Sequence, residues 1–443
     1  MPPKALMLEQ ILENIPSINY SETSMEESVS RLIDVNFFDV SHILNPFPFY
    51  ETVWEQDTPI VRLPNTDTFV VFSAGLVAEV CRRTSDFSSA FGEELIGKRA
   101  HDPDIEAISG QGWPFAATLM IADPPRHTRT RRLVMAALKK NRIDGMVPAI
   151  RSLTIDLVAN FIDKGNCEFM SEFAIPFPIE VIKNQIGLGH VSVGKIKSWS
   201  DAVADRAAGQ IDKDREIECA RLILEFQLTM MEEIARRSTS RKDDVLQFLL
   251  DARTSEEPPL ADDEMLSMLQ QLMVAGNETT TNTLGAGMLR VCENPEALHR
   301  AQQDPSIIPK LVEEMLRIDS PAQGIWRKTA HETVLGGVTI PAGAMVMCRL
   351  ASANRDPNVY EDPAAFCPHR SGLNRHMAFG SGIHTCVGHF LARAELQVAF
   401  EELLPRLENI RLMDGFHAQY SYNTMVRGPA ELQISFETRK IQR

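Results

Sequence analysis

Paired cysteines are missing from this sequence. Its seven cysteines, Cys81, Cys167, Cys219, Cys292, Cys348, Cys367 and Cys386, are odd in number and scattered, with no C-x-x-C pair. That excludes a disulfide framework and a zinc ribbon, and it suits a reducing compartment. Positive charge is also in short supply: 45 Lys and Arg against 60 Asp and Glu leave a formal net charge of -15. This disfavours general nucleic-acid binding and adhesion to anionic lipid. The stretch from Met1 to Ser28 holds no signal-peptide core and no apolar run long enough to span a bilayer, so a cytoplasmic protein without a membrane anchor is expected. No internal repeat, low-complexity linker or charged tail divides the chain.

What is present is mostly helical text. From about Arg126 to Glu293 apolar residues recur at three- and four-residue spacing. Two short β-branched and aromatic runs flank Pro64-Asn65-Thr66-Asp67, a hairpin signal, and strand-like runs return at 336–347 and 420–437. The expectation is a mainly α fold with a small β region, as one domain over residues 1–443 with residues 1–30 a partly ordered extension.

One cysteine has unusual neighbours. Cys386 lies in Phe379-Gly380-Ser381-Gly382-Ile383-His384-Thr385-Cys386-Val387-Gly388, where two glycines within three residues allow a tight turn. Leu396, Ala399, Phe400, Leu403 and Leu404 follow at helical spacing. Cys386 therefore sits in a constrained loop ahead of a helix, where free amides and the helix dipole favour a thiolate. A thiolate beside an aromatic ring is a suitable axial ligand for heme iron.

A second stretch is odd for a helix. Asp262 and Asp263 open a helical run ending at Asn294-Pro295, and its middle reads Ala275-Gly276-Asn277-Glu278-Thr279-Thr280-Thr281. Glycine and three threonines weaken helical propensity, and threonine hydroxyls bond back to carbonyls one turn earlier. A kink or opened turn is expected there, with an acid and an alcohol side by side.

Together these segments resemble the cytochromes P450, soluble bacterial type. The cysteine loop matches the family's F-x-x-G-x-H-x-C-x-G at every fixed position, and 275–280 matches A-G-x-[DE]-T-[TS]. Two further matches support the resemblance. Glu314 and Arg317 form an E-x-x-R pair, and Asp123-Pro124-Pro125-Arg126-His127 with Arg131 follows D-P-P-x-H-x-x-x-R.

The resemblance implies a triangular, mainly helical fold with heme b between the central helix and the cysteine-loop helix. Cys386 would be the axial thiolate ligand, with Phe379 and Gly388 beside the sulfur. His384, His127, Arg131 and Arg327 would serve the heme propionates. Ala275 and Gly276 would leave room for dioxygen, Glu278 would gate protons, and Thr279 would hydrogen-bond the oxygen being activated. Glu314, Arg317 and Arg370 would form a buried structural network.

The implied activity is insertion of one atom of dioxygen into an apolar small molecule, by hydroxylation or epoxidation. The sequence carries no flavin fingerprint and no clustered cysteines, so electrons would come from a separate ferredoxin and ferredoxin reductase. Arg129, Arg132, Lys139, Lys140 and Arg142 would offer a local basic docking patch. The substrate pocket would be lined by Phe91, Trp113, Phe115, Leu119, Leu272, Ala275, Ile325, Trp326, Thr424 and Met425. That lining is apolar and aromatic, and a terpenoid, aromatic or steroid substrate is the guess it allows. The family usually has a small residue or proline where Trp326 stands, so the indole either crowds the pocket floor or turns away from it. Two rivals remain: a heme-thiolate sensor without turnover, and a peroxide user or rearrangement catalyst independent of redox partners. The Glu278–Thr279 pair argues against both.

Overall fold

The structure is a computed structural model that describes residues 39–92, 102–208, 211–253, 256, 258–421 and 423–439. The extension expected over residues 1–30 lies outside them.

Helices of nine residues or more dominate. They are α1 (Phe47–Glu55), α2 (Ala74–Arg82), α3 (Arg126–Ala137), α4 (Lys140–Ala159), α5 (Pro176–Gln185), α6 (Val193–Ala208), α7 (Lys213–Arg236), α8 (Val245–Arg253), α9 (Asp262–Glu293), α10 (Pro295–Gln303), α11 (Ile308–Asp319) and α12 (His389–Leu403). The strands are short: β1 (Ile60–Arg62), β2 (Thr68–Val71), β3 (Phe87–Ser88), β4 (Asn166–Glu168), β5 (Ile325–Thr329), β6 (Thr333–Leu335), β7 (Val338–Ile340), β8 (Met345–Cys348), β9 (Leu407–Leu412) and β10 (Gln433–Thr438).

Helix α9 is the axle. Buried residues lie on all its faces, as expected of a helix enclosed by others rather than lying on a surface. Asp262, Asp263 and Glu264 occupy its positive first turn, and Pro295 stops it one residue after Asn294. It packs against α5, α6, α11 and α12. The hydrogen-bonded helix runs unbroken through residues 275–281, so the opened turn expected there is not formed. Neighbouring elements hold that stretch: Asn277 donates to Ser200 Oγ of α6 at 2.6 Å, and the Thr281 hydroxyl donates to Ala174 O at 3.0 Å.

The expected hairpin is present, β1 pairing antiparallel with β2 across the Pro64–Asp67 turn. The five-stranded sheet has the order β1-β2-β8-β5-β3, with β2 parallel to β8 and the other pairs antiparallel. β4, β10 and β9 form a second sheet, and β6 and β7 a third. One stretch among the described residues, 140–164, is long and apolar enough by composition to cross a membrane. It packs along α12, and Arg151 within it is ion-paired to Glu401 and Glu402.

Candidate active site

The cysteine loop is shaped by its glycines. Gly380 and Gly382 both have φ of 70°, and a side chain on Gly382 would collide with the Cys81 carbonyl of α2. The loop closes through the Cys386 amide, which donates to Phe379 O at 2.8 Å. The sulfur accepts the Gly388 amide one residue before α12 begins. Burial nevertheless pushes the Cys386 thiol up, outweighing the Gly388 amide and the nearby Arg131 and Arg393 cations. Phe379 lies under the Arg393 guanidinium, 4.4 Å from the ring centroid.

Beside the loop, basic side chains converge, with Asp123 the carboxylate that opposes them at His127. His127 and Arg327 are both buried, and the His127 and His384 rings lie 4.0 Å apart. His127 Nε2 is buried with no hydrogen-bond partner. Arg131 donates to Thr385 O and Arg327 to Trp326 O, and neither makes an ion pair among the described residues. Burial together with Arg327, His127 and Arg131 holds His384 down at about 3, so its imidazole is neutral at physiological pH. His384 Nε2 lies 3.0 Å from Ser89 Oγ, while Asp123 accepts from the Ser89 amide at 2.8 Å and from the Ser88 hydroxyl. The sequence reading missed Ser89. Only the β3–β5 pairing brings it to the loop, and no local pattern marks it.

On α9, Ala275 is an exposed position between half-buried Val274 and Gly276, and Thr279 Oγ1 donates back to its carbonyl at 3.0 Å. Gly276 differs from the expectation. A Cβ there would sit 3.1 Å from the Ile182 side chain, so its missing side chain admits α5 rather than leaving space for dioxygen. Glu278 is held above the usual carboxylate range by burial first, then by Asp201 of α6, with Lys197 opposing. Lys197 and Asp201 are themselves ion-paired.

Beneath the loop, Glu314 and Arg317 are wholly buried and joined by two 2.7 Å bonds. Arg317 also donates to Asn354 O, Pro363 O and Ala365 O, while the Glu314 carboxylate accepts from the Cys367 amide at 2.8 Å and from Arg370 at 3.5 Å. Arg370 donates in turn to Glu361, Asp362 and Ala365 carbonyls.

The residues expected to line one pocket divide. Leu119 and Leu272 share the main core cluster, with Trp113 against it; Phe91 is buried and Phe115 exposed. Ile325 packs with the cluster around Val346 and Cys348. Trp326 turns away from the pocket floor. On β5 it points opposite to Ile325 and Arg327, and with Met425 it packs into the cluster of Phe49, Tyr50, Val53 and Met347. Thr424 serves through its carbonyl, which accepts from Arg349 at 2.8 Å.

Similarity to known proteins agrees with this geometry. A family model described as cytochrome P450 matches residues 214–415. Cytochrome P450 107B1 of Saccharopolyspora erythraea is 33% identical over 77% of this chain and 82% of its own length. The chain belongs to the cytochrome P450 family. Other P450 relatives include the vitamin D(3) 25-hydroxylase of Pseudonocardia autotrophica, 30% identical over 89% of this chain and 94% of that one. Among solved structures, the P450 CYP109Q5 of Chondromyces apiculatus superposes with a TM-score of 0.80 at 30% identity, over 92% of this chain and 99% of that one. P450 enzymes are heme-thiolate monooxygenases with dioxygen as co-substrate. The residues present fit heme b. A half-buried cysteine whose sulfur already accepts an amide, and a basin whose basic groups outnumber Asp123 and include an orphaned imidazole nitrogen, are what an iron and two propionates would satisfy.

Proposed function

We propose that this P450 hydroxylates or epoxidises apolar small molecules, with Cys386 as its axial ligand and electrons supplied by a separate ferredoxin and its reductase in the cytoplasm. The reading is supported by the acid–alcohol pair on α9, the helix that packs against α12 as it leaves the cysteine loop, and by the basic basin beside that loop. His127, Arg131, Arg327 and His384 would hold the heme propionates. Bound heme supplies reductive activation of dioxygen, the step no side chain here could perform.

The chain's own residues then handle protons and position. Thr279, back-bonded to Ala275 O, keeps its hydroxyl at the exposed turn of the helix. Glu278, held up by burial and facing the charged pair of α6, can carry a proton inward from that pair. A rival sensor or peroxide user has no need of such a relay. The test is turnover with ferredoxin, reductase and a panel of terpenoid, aromatic and steroid substrates under isotopically heavy dioxygen, where each product is to gain one heavy oxygen atom. Turnover driven only by added peroxide would overturn the proposal. Thr279→Ala is expected to keep consuming reductant while product falls on the order of 100-fold and hydrogen peroxide accumulates.

Most of the basic residues expected to dock an electron donor are engaged in ion pairs. Arg129 is paired with Glu264, Arg132 with Glu256, Lys140 with Asp144 and Arg142 with Asp243. Lys139 is exposed and makes no ion pair among the described residues. Lys139→Glu is therefore expected to slow reduction by ferredoxin only a few-fold at low salt. Stopped-flow traces at high salt should coincide with the parent.

A further inference from the structure

Glu313 of α11 stands outside both the proton relay and the Glu314–Arg317 network. Its two carboxylate oxygens accept from Arg393 of α12, Oε1 from Nε at 2.6 Å and Oε2 from Nη2 at 2.9 Å. His376, whose side chain is 1% exposed, reaches the same Oε2 through its Nε2 at 2.9 Å. The other His376 nitrogen, Nδ1, accepts the Ala378 amide at 3.2 Å. The ring proton therefore sits on Nε2, and His376 donates to Glu313 as a neutral imidazole.

The Arg393 guanidinium is held on three sides. Its Nε–Nη2 edge faces Glu313, its Nη1 lies 3.2 Å from His389 Nδ1, and its face covers the Phe379 ring. Burial, then the Arg393 and Arg131 cations, keep His389 below its ordinary value, so its Nδ1 can accept. Against burial, which raises it, the bonds from His376 and Arg393 hold the Glu313 carboxyl down at about 2. The ion pair thus stays charged at physiological pH. Phe379 takes the Cys386 amide on its carbonyl, and Arg393 is one of the two cations that favour the Cys386 anion.

We propose that Glu313 and His376 are positioning residues that hold the Arg393 cation on the face of Phe379, where its charge raises the reduction potential of heme iron bound at Cys386. The inference rests on the reading of Cys386 as the axial ligand and deepens it. Reduction adds negative charge beside the sulfur, so a cation kept nearby favours the reduced form, while one that swings into solvent is screened. Glu313 offsets part of that field as it fixes the source. Arginine suits the task because its planar fork can lie on a ring and bond both carboxylate oxygens at once.

The test is a spectroelectrochemical titration of the heme-loaded protein without substrate, with the carbon monoxide spectrum of each variant recorded alongside. Arg393→Gln is expected to lower the potential, by on the order of 3- to 10-fold in the equilibrium constant for reduction. Glu313→Gln keeps an oxygen to accept from Arg393 but loses the negative charge, and should raise the potential. The double variant should return close to the parent, and Arg393→Lys should recover part of what Arg393→Gln loses. Opposite shifts from the two halves of one ion pair are a mark of charge, since a merely structural pair would move both variants the same way. An Arg393→Gln potential equal to that of the parent, or shifts of one sign in both variants, overturns this inference alone when the thiolate band is intact. A parent that lacks the band overturns the reading of Cys386 and this inference with it.

Discussion

Replacing Cys386 by serine is expected to erase the thiolate signature and bring monooxygenase turnover down to background. The parent, reduced with dithionite and exposed to carbon monoxide, should give the strongly red-shifted Soret band of thiolate-ligated heme. The serine variant should bind less heme and show no such band. The reasoning is local. In the chain by itself burial holds the thiol up and only one amide, with Arg131 and Arg393 at longer range, favours the anion. Heme iron held by Cys386 would stabilise the anion, and thiolate donation to it would favour O–O cleavage. A hydroxyl keeps the shape of the loop but has little tendency to ionise. A Soret band in the parent at the histidine-ligated position would mean that His127 or His384 has taken the iron instead.

Cutting Glu314 back to alanine is expected to cost about 3–5 kcal/mol, because Arg317 is then left as an unpaired charge in a dry interior. Against a total stability of about 5–15 kcal/mol for a folded domain, that is enough to lose heme on desalting and to lower the thermal midpoint sharply. Arg317→Ala should behave alike. A double replacement by leucine and methionine removes both charges, yet should restore only part of the loss. The Asn354 and Pro363 carbonyls would lose their donor, Ala365 O would keep only Arg370, and the Cys367 amide would lose its acceptor. Unfolding curves of the two single variants and the double variant separate the charge effect from the loss of these anchors. A double variant as stable as the parent would mean that the pair contributes only its electrostatics.

What could be read from the sequence was what lies close together along it. The cysteine loop, the central helix with its acid and alcohol, and the E-x-x-R pair are contiguous, so residue type and spacing carried them. The 275–281 stretch shows the limit of such reading: composition argued for an opened turn, but bonds to Ser200 and Ala174 from other elements close it. Gly276 looked like room for a ligand until Ile182 of α5 filled it. Trp326 could not be aimed without knowing the face of β5 on which Arg327 lies. The basic run after Arg126 looked free because its carboxylate partners, Glu256 and Glu264, are distant in sequence. Ser89 was invisible for the same reason, since it acquires its meaning from a residue on another element.

The β2–β8 pairing has a consequence for biosynthesis. Thr68 to Val71 find their parallel partners only in Met345 to Cys348, and α2 is clasped by a loop later still, through Gly382. At ribosomal speeds of about 5–20 residues per second, the early hairpin waits on the order of tens of seconds with its apolar edge uncovered. His127 and Arg131 are made long before the loop that completes their basin. Heme capture therefore becomes a late event that waits for the Cys386 loop to be made. Yield in a producing cell should then depend on chaperone capacity during that interval as much as on the supply of heme.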